Sequence, residues 1–120
     1  METKNDYFTN ILETCDGNLD FLIELSTDLL NMFSSETHEM LGKYIQEENG
    51  ENIAKTAHKL RGAVVNFNME KTASLLQELE LMGKRNDLKG STEIVEKIRT
   101  EISIFSEALE EYKGGLQRTV

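Results

Sequence analysis

The fold can be inferred outward from residues 53–80, IAKTAHKLRGAVVNFNMEKTASLLQELE. Apolar side chains recur in its first half at steps of four, three, four and three residues, at Ile53, Ala57, Leu60, Val64 and Phe67. This spacing places them on one face of an α-helix, and we expect that face to be buried. Asn68 predicts a turn, because asparagine tolerates left-handed backbone better than most residues. The stretch is therefore predicted to form two helices joined by a tight turn.

His58 is the candidate functional residue of the first of these helices. It lies one residue past the apolar position Ala57, about 100° further round a helix of about 3.6 residues per turn. Its ring is therefore expected on the flank of the helix, where a neighbour can hold it and solvent can still reach it. Arg61 and Gly62 follow three and four residues later, so both are surface neighbours of His58. Glycine costs about 1 kcal/mol relative to alanine inside a helix, and we infer that the missing side chain leaves room for another protein beside the imidazole.

Glu80 is predicted to contact His58 from the second helix. A hairpin that turns at Asn68 brings His58, ten residues before the turn, level with residues 78–80. Glu80 is on the flank of its helix, so its carboxylate can accept a hydrogen bond from one imidazole nitrogen. That bond would fix the tautomer and leave the other nitrogen as the nucleophile. A nearby carboxylate also favours the protonated imidazolium, which works against nucleophilicity.

The charge around His58 is the reverse of the charge of the whole chain. Residues 52–66 contain no acid but three cations, Lys55, Lys59 and Arg61. Such cations can stabilise a phosphoryl group on the ring and attract an acidic partner. An ordinary solvated face is the alternative interpretation.

The composition is that of a folded, acidic protein. Hydrophobic residues make up 38% of the 120 residues and charged residues 29%, which is typical of one globular domain, here predicted to span 1–120. The net charge of −9 argues against nucleic acid and anionic membranes as partners. No apolar run approaches the length of about 20 residues that spans a bilayer, and METKNDYF at the N-terminus lacks the layout of a signal peptide. Cys15 is the single cysteine and cannot form an internal disulfide, so we expect a cytoplasmic protein.

The rest of the chain has the same helical periodicity, and it contains no proline. We predict five helices, over 3–15, about 18–48, 51–67, 69–85 and 91–113. A kink is possible in the polar residues 34–38 of the second. Long amphipathic helices with short connections predict an all-α fold, an antiparallel up-down four-helix bundle with an additional short N-terminal helix. A coiled-coil dimer is the competing architecture, but the breaks between helices interrupt any heptad pattern, and we expect a monomer.

The motif AHKLRG at 57–62, Asn68 ten residues after the histidine and the Leu-Glu pair at 79–80 resemble a histidine-containing phosphotransfer (HPt) domain. That family's pattern is roughly A-H-x-L-K-G, a glycine ten residues after the histidine, and Gln or Glu on the next helix. Arg61 stands where the family usually has Lys, and its planar guanidinium can alter the phosphate geometry. Asn68 replaces the usual Gly, and Glu80 stands where Gln is common.

The resemblance implies that His58 is the phosphoacceptor of a two-component phosphorelay. It would take a phosphoryl group from a receiver-domain aspartate and pass it to another receiver. The partners would be receiver domains of response regulators or hybrid sensor kinases; they would supply the Mg²⁺, and this chain would need no cofactor. Val65, where the family often has a small residue, is a candidate partner contact. The chain has no glycine-rich nucleotide loop, so the resemblance implies a carrier without its own ATP-dependent kinase activity.

Other functions are open at this stage. The chain could be a degenerate HPt-like module that binds a signalling partner without being phosphorylated. It could be the dimerisation helix pair of a sensor kinase, although that family normally has a proline soon after its histidine. A metal site is not expected, because His38 and His58 are twenty residues apart on different helices and lack an obvious third ligand. His38, between Glu36 and Glu39, is expected to be solvated.

Overall fold

The computed structural model describes residues 6–118, with side chains as far as residue 115. The described residues form helices and no strand, so the predicted all-α fold class is confirmed. The helices are α1 (Thr9–Thr14), α2 (Leu19–Met32), α3 (Ser35–Gln46), α4 (Gly50–Val64), α5 (Glu70–Arg85) and α6 (Ser91–Arg118). A short 3₁₀ turn, Val65–Phe67, follows α4.

The α4–α5 hairpin is the most extensively packed pair of helices in the bundle. Asn68 ends the 3₁₀ turn in the left-handed conformation, with φ of 56°, as the sequence predicts. Its side-chain Nδ2 donates a hydrogen bond to the backbone oxygen of Asp6 at 2.9 Å. The asparagine therefore both permits the turn and ties it to the N-terminal segment.

The opposite end of the hairpin is held by two glycines. A Cβ on Gly50 would lie 2.6 Å from Oδ1 of Asn86, and one on Gly83 would lie 2.8 Å from the backbone nitrogen of Ala54. Real Cβ atoms are not found that close to other atoms. The start of α4 and the end of α5 therefore approach each other at a distance that only glycine allows, which fixes the register of the hairpin.

The prediction of one continuous helix over 18–48 is wrong. The chain breaks into α2 and α3 at Phe33 and Ser34, where Ser34 is extended with ψ of 167°. The Ser34 hydroxyl accepts a hydrogen bond from the backbone nitrogen of Thr37 at 3.4 Å. The serine is thus the N-cap of a new helix, which begins where polar residues interrupt the apolar pattern of 18–48.

The other bundle helices complete the fold around a single core. α3 packs against α4, and α6 packs against α2, α3 and α5, so α2 and α3 together occupy the place of the predicted second helix. α6 contributes a stripe of buried side chains, Ile94, Ile98, Ile102, Phe105 and Leu109. Each such side chain contributes about 1.5–3 kcal/mol when it leaves water.

The N-terminal segment covers one end of the bundle with aromatic rings. Tyr7 meets Phe105 edge-on with ring centroids 5.1 Å apart, and Phe8 stacks on Tyr112 at 4.8 Å. α1 begins at Thr9, later than predicted, and residues 3–5 of the predicted helix lie outside the described residues. α6 continues past the predicted end at residue 113, through the two glycines, to Arg118. Among the described residues, none of the helices combines the length and apolar character required to cross a bilayer.

Candidate functional site

The His58 ring lies on the flank of α4, between the buried stripe and the solvated side. Its neighbour Ala57 is fully buried, whereas the His58 side chain is 68% exposed. The ring nitrogen Nδ1 is 3.3 Å from Oε1 of Glu80 and 3.3 Å from Oε2. Within the described residues, Nε2 has no hydrogen-bond partner. The structure thus brings His58 and Glu80 together across the α4–α5 hairpin and leaves one ring nitrogen open to solvent.

Glu80 is a buried carboxylate held by two cations. Its side chain is only 7% exposed; Nζ of Lys84 lies 3.0 Å from Oε2 and Nη2 of Arg61 lies 3.2 Å from Oε1. The hydrogen bond from Lys84 lowers the pKa of Glu80 most, the bond from His58 also lowers it, and burial opposes both. The net shift is downward from the usual 4.5. Glu80 is therefore an anion at neutral pH, fixed in place before any partner arrives.

The tautomer of His58 follows from the groups around Nδ1. The Glu80 carboxylate can only accept a hydrogen bond, whereas the Arg61 guanidinium, 3.4 Å from Nδ1, can only donate one. Arg61 has a closer acceptor in Glu80 Oε1, at 3.2 Å. The arrangement that satisfies all three groups has the proton on Nδ1, donated to Glu80, and Arg61 donating to Glu80. Nε2 then carries the lone pair, and a lone pair exposed to solvent is a nucleophile.

Among the residues that the structure describes, none packs against the position of a side chain at Gly62. A Cβ added there would meet none of their atoms within 4 Å. This agrees with the idea that the glycine keeps the surface beside the imidazole open. Val65, in the 3₁₀ turn, is 60% exposed and presents an apolar side chain to solvent.

The cations predicted from the sequence are not equivalent. Lys55 forms an exposed ion pair with Glu51 at 3.1 Å. It also lines an open depression of about 350 Å³ with Ala54, His58, Glu80 and Lys84. Lys59 is exposed, and the structure does not bring it to the ring or to Glu80.

Lys84 is the site residue that sequence reasoning missed. It follows Glu80 by four residues on α5 and forms an ion pair with it. That spacing is the usual one for a Glu–Lys pair on a helix, so the sequence did contain the signal. Lys84 lies one helical turn beyond Glu80, outside the register that pairs His58 with residues 78–80.

His38 is less exposed than the sequence predicts. Its side chain is 30% exposed, because α6 covers part of the ring. Nε2 is 3.5 Å from Nη1 of Arg99 and 3.7 Å from Oε1 of Glu96. Across residues 6–118, no cluster of three or more His, Cys, Asp or Glu residues could hold a metal ion.

Fold and site together define a class of protein: an all-α bundle that presents a histidine at its surface, with Nδ1 held by a buried carboxylate and Nε2 without a hydrogen-bond partner among the described residues. The family model of the Hpt domain matches residues 20–112, and the chain belongs to that family. Hpt domains have a phosphotransfer role in phosphorelays and interact with receiver domains. A search of curated proteins found no match to this chain, and a search of solved structures also found none.

Proposed function

We propose that this protein is a phosphorelay intermediate in which His58 accepts a phosphoryl group from a receiver-domain aspartate and passes it to a second receiver. The observation that supports this best is the arrangement of the ring: Nδ1 contacts a buried carboxylate, and Nε2, on a side chain that is 68% exposed, has no partner in the described part of the chain. A ring buried among neighbours could not reach an aspartate on another protein. Membership of the Hpt family supports the same role.

The chemistry requires little of this chain beyond positioning. The Nε2 lone pair attacks the phosphorus of an aspartyl phosphate, the Nε2–P bond forms, and the P–O bond breaks with its electron pair going to the aspartate. The second transfer is the reverse reaction on another receiver. Phosphoryl transfer depends mainly on alignment and on charge stabilisation. Arg61 and Lys84, which pair with Glu80 beside the ring, add positive charge near the phosphoryl oxygens.

The surface around His58 suits a partner that surrounds its own aspartate with negative charge. Lys55 and Lys84 line the depression next to the ring, in a chain whose net charge is −9. Gly62 leaves an open position on α4. Val65 presents an exposed apolar side chain in the turn that follows. We expect the receiver to supply Mg²⁺, and we expect this chain to act as a monomer without a cofactor.

The test is phosphotransfer from a set of receivers charged with radioactive phosphate. The wild type is expected to gain a label that is stable in base and labile in acid, and His58→Gln is expected to gain none. His38→Gln is the matched control, because it makes the same change at the other histidine, and it should label as the wild type does. Label that persists on His58→Gln would overturn the proposal. A receiver that binds tightly but transfers nothing would favour a module that binds without being phosphorylated.

A further inference from the structure

The group that faces Nδ1 of His58 is an anion, and this has consequences for the phosphorylated state. Both Glu80 oxygens lie 3.3 Å from Nδ1, and the side chain is only 7% exposed. Lys84 and Arg61 each form an ion pair with one of the two oxygens. The carboxylate is therefore ionised and unable to turn away from the ring. A neutral amide in the same place could accept the same hydrogen bond but would carry no charge.

Phosphorylation changes what that charge does. Before transfer, the ring is neutral, with a proton on Nδ1 and a lone pair on Nε2. After Nε2 has bonded to phosphorus, the ring is positively charged as long as Nδ1 keeps its proton. In water the ring can lose that proton and become neutral. An opposite charge in contact with the ring favours the charged, protonated form.

From this geometry we propose that Glu80 keeps the Nδ1 proton on phosphorylated His58 and so keeps the ring a good leaving group. The proposal rests on the proposed carrier function and deepens it. When the phosphoryl group leaves, the electron pair of the N–P bond returns to Nε2. With Nδ1 protonated the departing group is a neutral imidazole; without that proton it would be an imidazolate anion, which leaves poorly. No proton has to enter or leave the site in either half of the relay. Glu80 is on this account a positioning residue that acts through His58.

The other charges near the ring act against Glu80 but are less directly placed. On α4 they are Lys55 and Arg61, and on α5 Lys84. Lys84 and Arg61 each contact a Glu80 oxygen, so part of their charge is already neutralised. Lys55 is paired with Glu51. Glu80 is the one anion among the described residues that touches Nδ1.

The experiment loads His58 chemically, with inorganic phosphoramidate, so that it does not depend on finding a receiver. The ring is labelled with ¹⁵N, and the chemical shift of Nδ1 is followed from pH 5 to pH 10 in the wild type and in Glu80→Gln. Glu78→Gln is the matched control, because it removes one negative charge from an exposed position on the same helix. A phosphorylated peptide of residues 54–62, which lacks Glu80, provides a second reference should Glu80→Gln fail to fold.

The expected result is that Nδ1 of the phosphorylated wild type loses its proton at a pH about one unit or more above that of Glu80→Gln and of the peptide, the size expected for an opposite charge in contact. Glu78→Gln should match the wild type. Above both midpoints, phosphohistidine hydrolysis in Glu80→Gln should then be slower by about tenfold per unit of that shift. This inference would be overturned if Nδ1 of phosphorylated His58 lost its proton at the same pH in the wild type and in Glu80→Gln. Where Glu80→Gln does not fold, the same pH in the wild type and in the peptide would overturn it. In either case the carrier role would still stand. Failure of the wild type to accept phosphate on His58, from phosphoramidate or from any receiver, would remove both.

Discussion

The two histidines of this protein are each followed by a glycine at the same spacing, but their environments are opposite. Each is followed four residues later by an exposed glycine, Gly62 after His58 and Gly42 after His38. Each ring also contacts a glutamate and an arginine. The His58 side chain is 68% exposed and its glutamate 7%, whereas the His38 side chain is 30% exposed and its glutamate 55%. An inventory of residue types does not separate the two; burial of the carboxylate does.

Because the two glutamates differ in burial, they differ in how firmly each can hold its histidine ring. Glu80 meets Nδ1 with both oxygens at 3.3 Å and is anchored by Lys84 at 3.0 Å. Glu96 is 3.7 Å from His38 and 3.9 Å from Arg99, on a surface where ion pairs contribute about 0–1 kcal/mol. A buried anchor holds an exposed ring in one orientation, which a nucleophile needs. An exposed carboxylate beside a half-covered ring gives only a weak surface contact.

The largest effect on stability is expected at the base of the α4–α5 hairpin. Gly83→Ala would place a Cβ 2.8 Å from the backbone of Ala54, so α4 and α5 would have to move apart. Such overpacking costs about 1–3 kcal/mol, occasionally more. Because Glu80 is three residues away on α5, His58 should also lose its fixed orientation, while His38 should not. Denaturant unfolding measures the first effect, and ring NMR of both histidines measures the second. An unchanged His58 spectrum together with full stability would contradict the close packing.

The next largest effect is expected when Glu80, but not Glu96, is replaced by alanine. Glu80→Ala leaves Arg61 and Lys84 without their shared partner and removes the acceptor from His58, so we expect a loss of about 1–3 kcal/mol and a marked loss of phosphotransfer. Glu96→Ala should change stability by less than about 0.5 kcal/mol and leave transfer intact. Denaturant unfolding and single-turnover phosphotransfer, measured on both variants, test this prediction. Equal costs would mean that the burial of Glu80 has no energetic consequence.

Gly62 and Gly42, the glycines that follow the two histidines, offer a sharper comparison. At Gly62, substitution should raise stability but lower the rate of phosphotransfer. A Cβ at Gly62 or at Gly42 would meet no atom of residues 6–115 within 4 Å. Alanine at either position should therefore stabilise the protein by up to about 1 kcal/mol. Gly62→Ala should slow transfer from a receiver because the methyl group narrows access to the ring, and Gly42→Ala should not. Transfer that is unaffected by Gly62→Ala would show that the open space beside His58 is not used.

The smallest effect is expected on how the free energy of unfolding changes at acid pH. Lys84 and His58 hold the pKa of Glu80 below its ordinary value of 4.5, so ionised Glu80 stabilises the fold above that pH. This contribution is lost as the pH falls below about 4.5, through the lowered pKa of the folded state. Glu80→Gln should therefore lose less stability between pH 6 and pH 3 than the wild type, with Glu96→Gln as the matched surface control. Parallel unfolding profiles for wild type and Glu80→Gln would contradict the ionised, anchored carboxylate.

Local patterns were enough to predict the hairpin that carries the site. The apolar period around His58 fixes its place on the flank of α4, and the turn at Asn68 sets which residue of α5 is level with it. Those two facts predict the contact with Glu80, which the structure has at 3.3 Å. Both facts depend only on residues close in sequence and on one short turn, so no distant contact is needed to predict them.

The features that could not be predicted depend on competition or on distant contacts. At Ser34 a capping hydroxyl favours a new helix, whereas the apolar stripes before and after it favour one long helix, and periodicity alone cannot decide between them. His38 is partly covered by Arg99, which is 61 residues away in sequence. The end of α6 continues through residues 114 and 115 even though glycine is a poor helix former, and Tyr112 just before them is fixed by Phe8 from the other end of the chain.

The central claim is that the free nitrogen of an anchored, exposed histidine carries the phosphoryl group. Phosphorus–nitrogen coupling in the NMR spectrum of the ¹⁵N-labelled, phosphorylated protein reports directly which nitrogen of which histidine is bonded to phosphorus. We expect a single phosphohistidine, His58, with phosphorus on Nε2 and a proton on Nδ1. Phosphorus on Nδ1 of His58, or on His38, would contradict it.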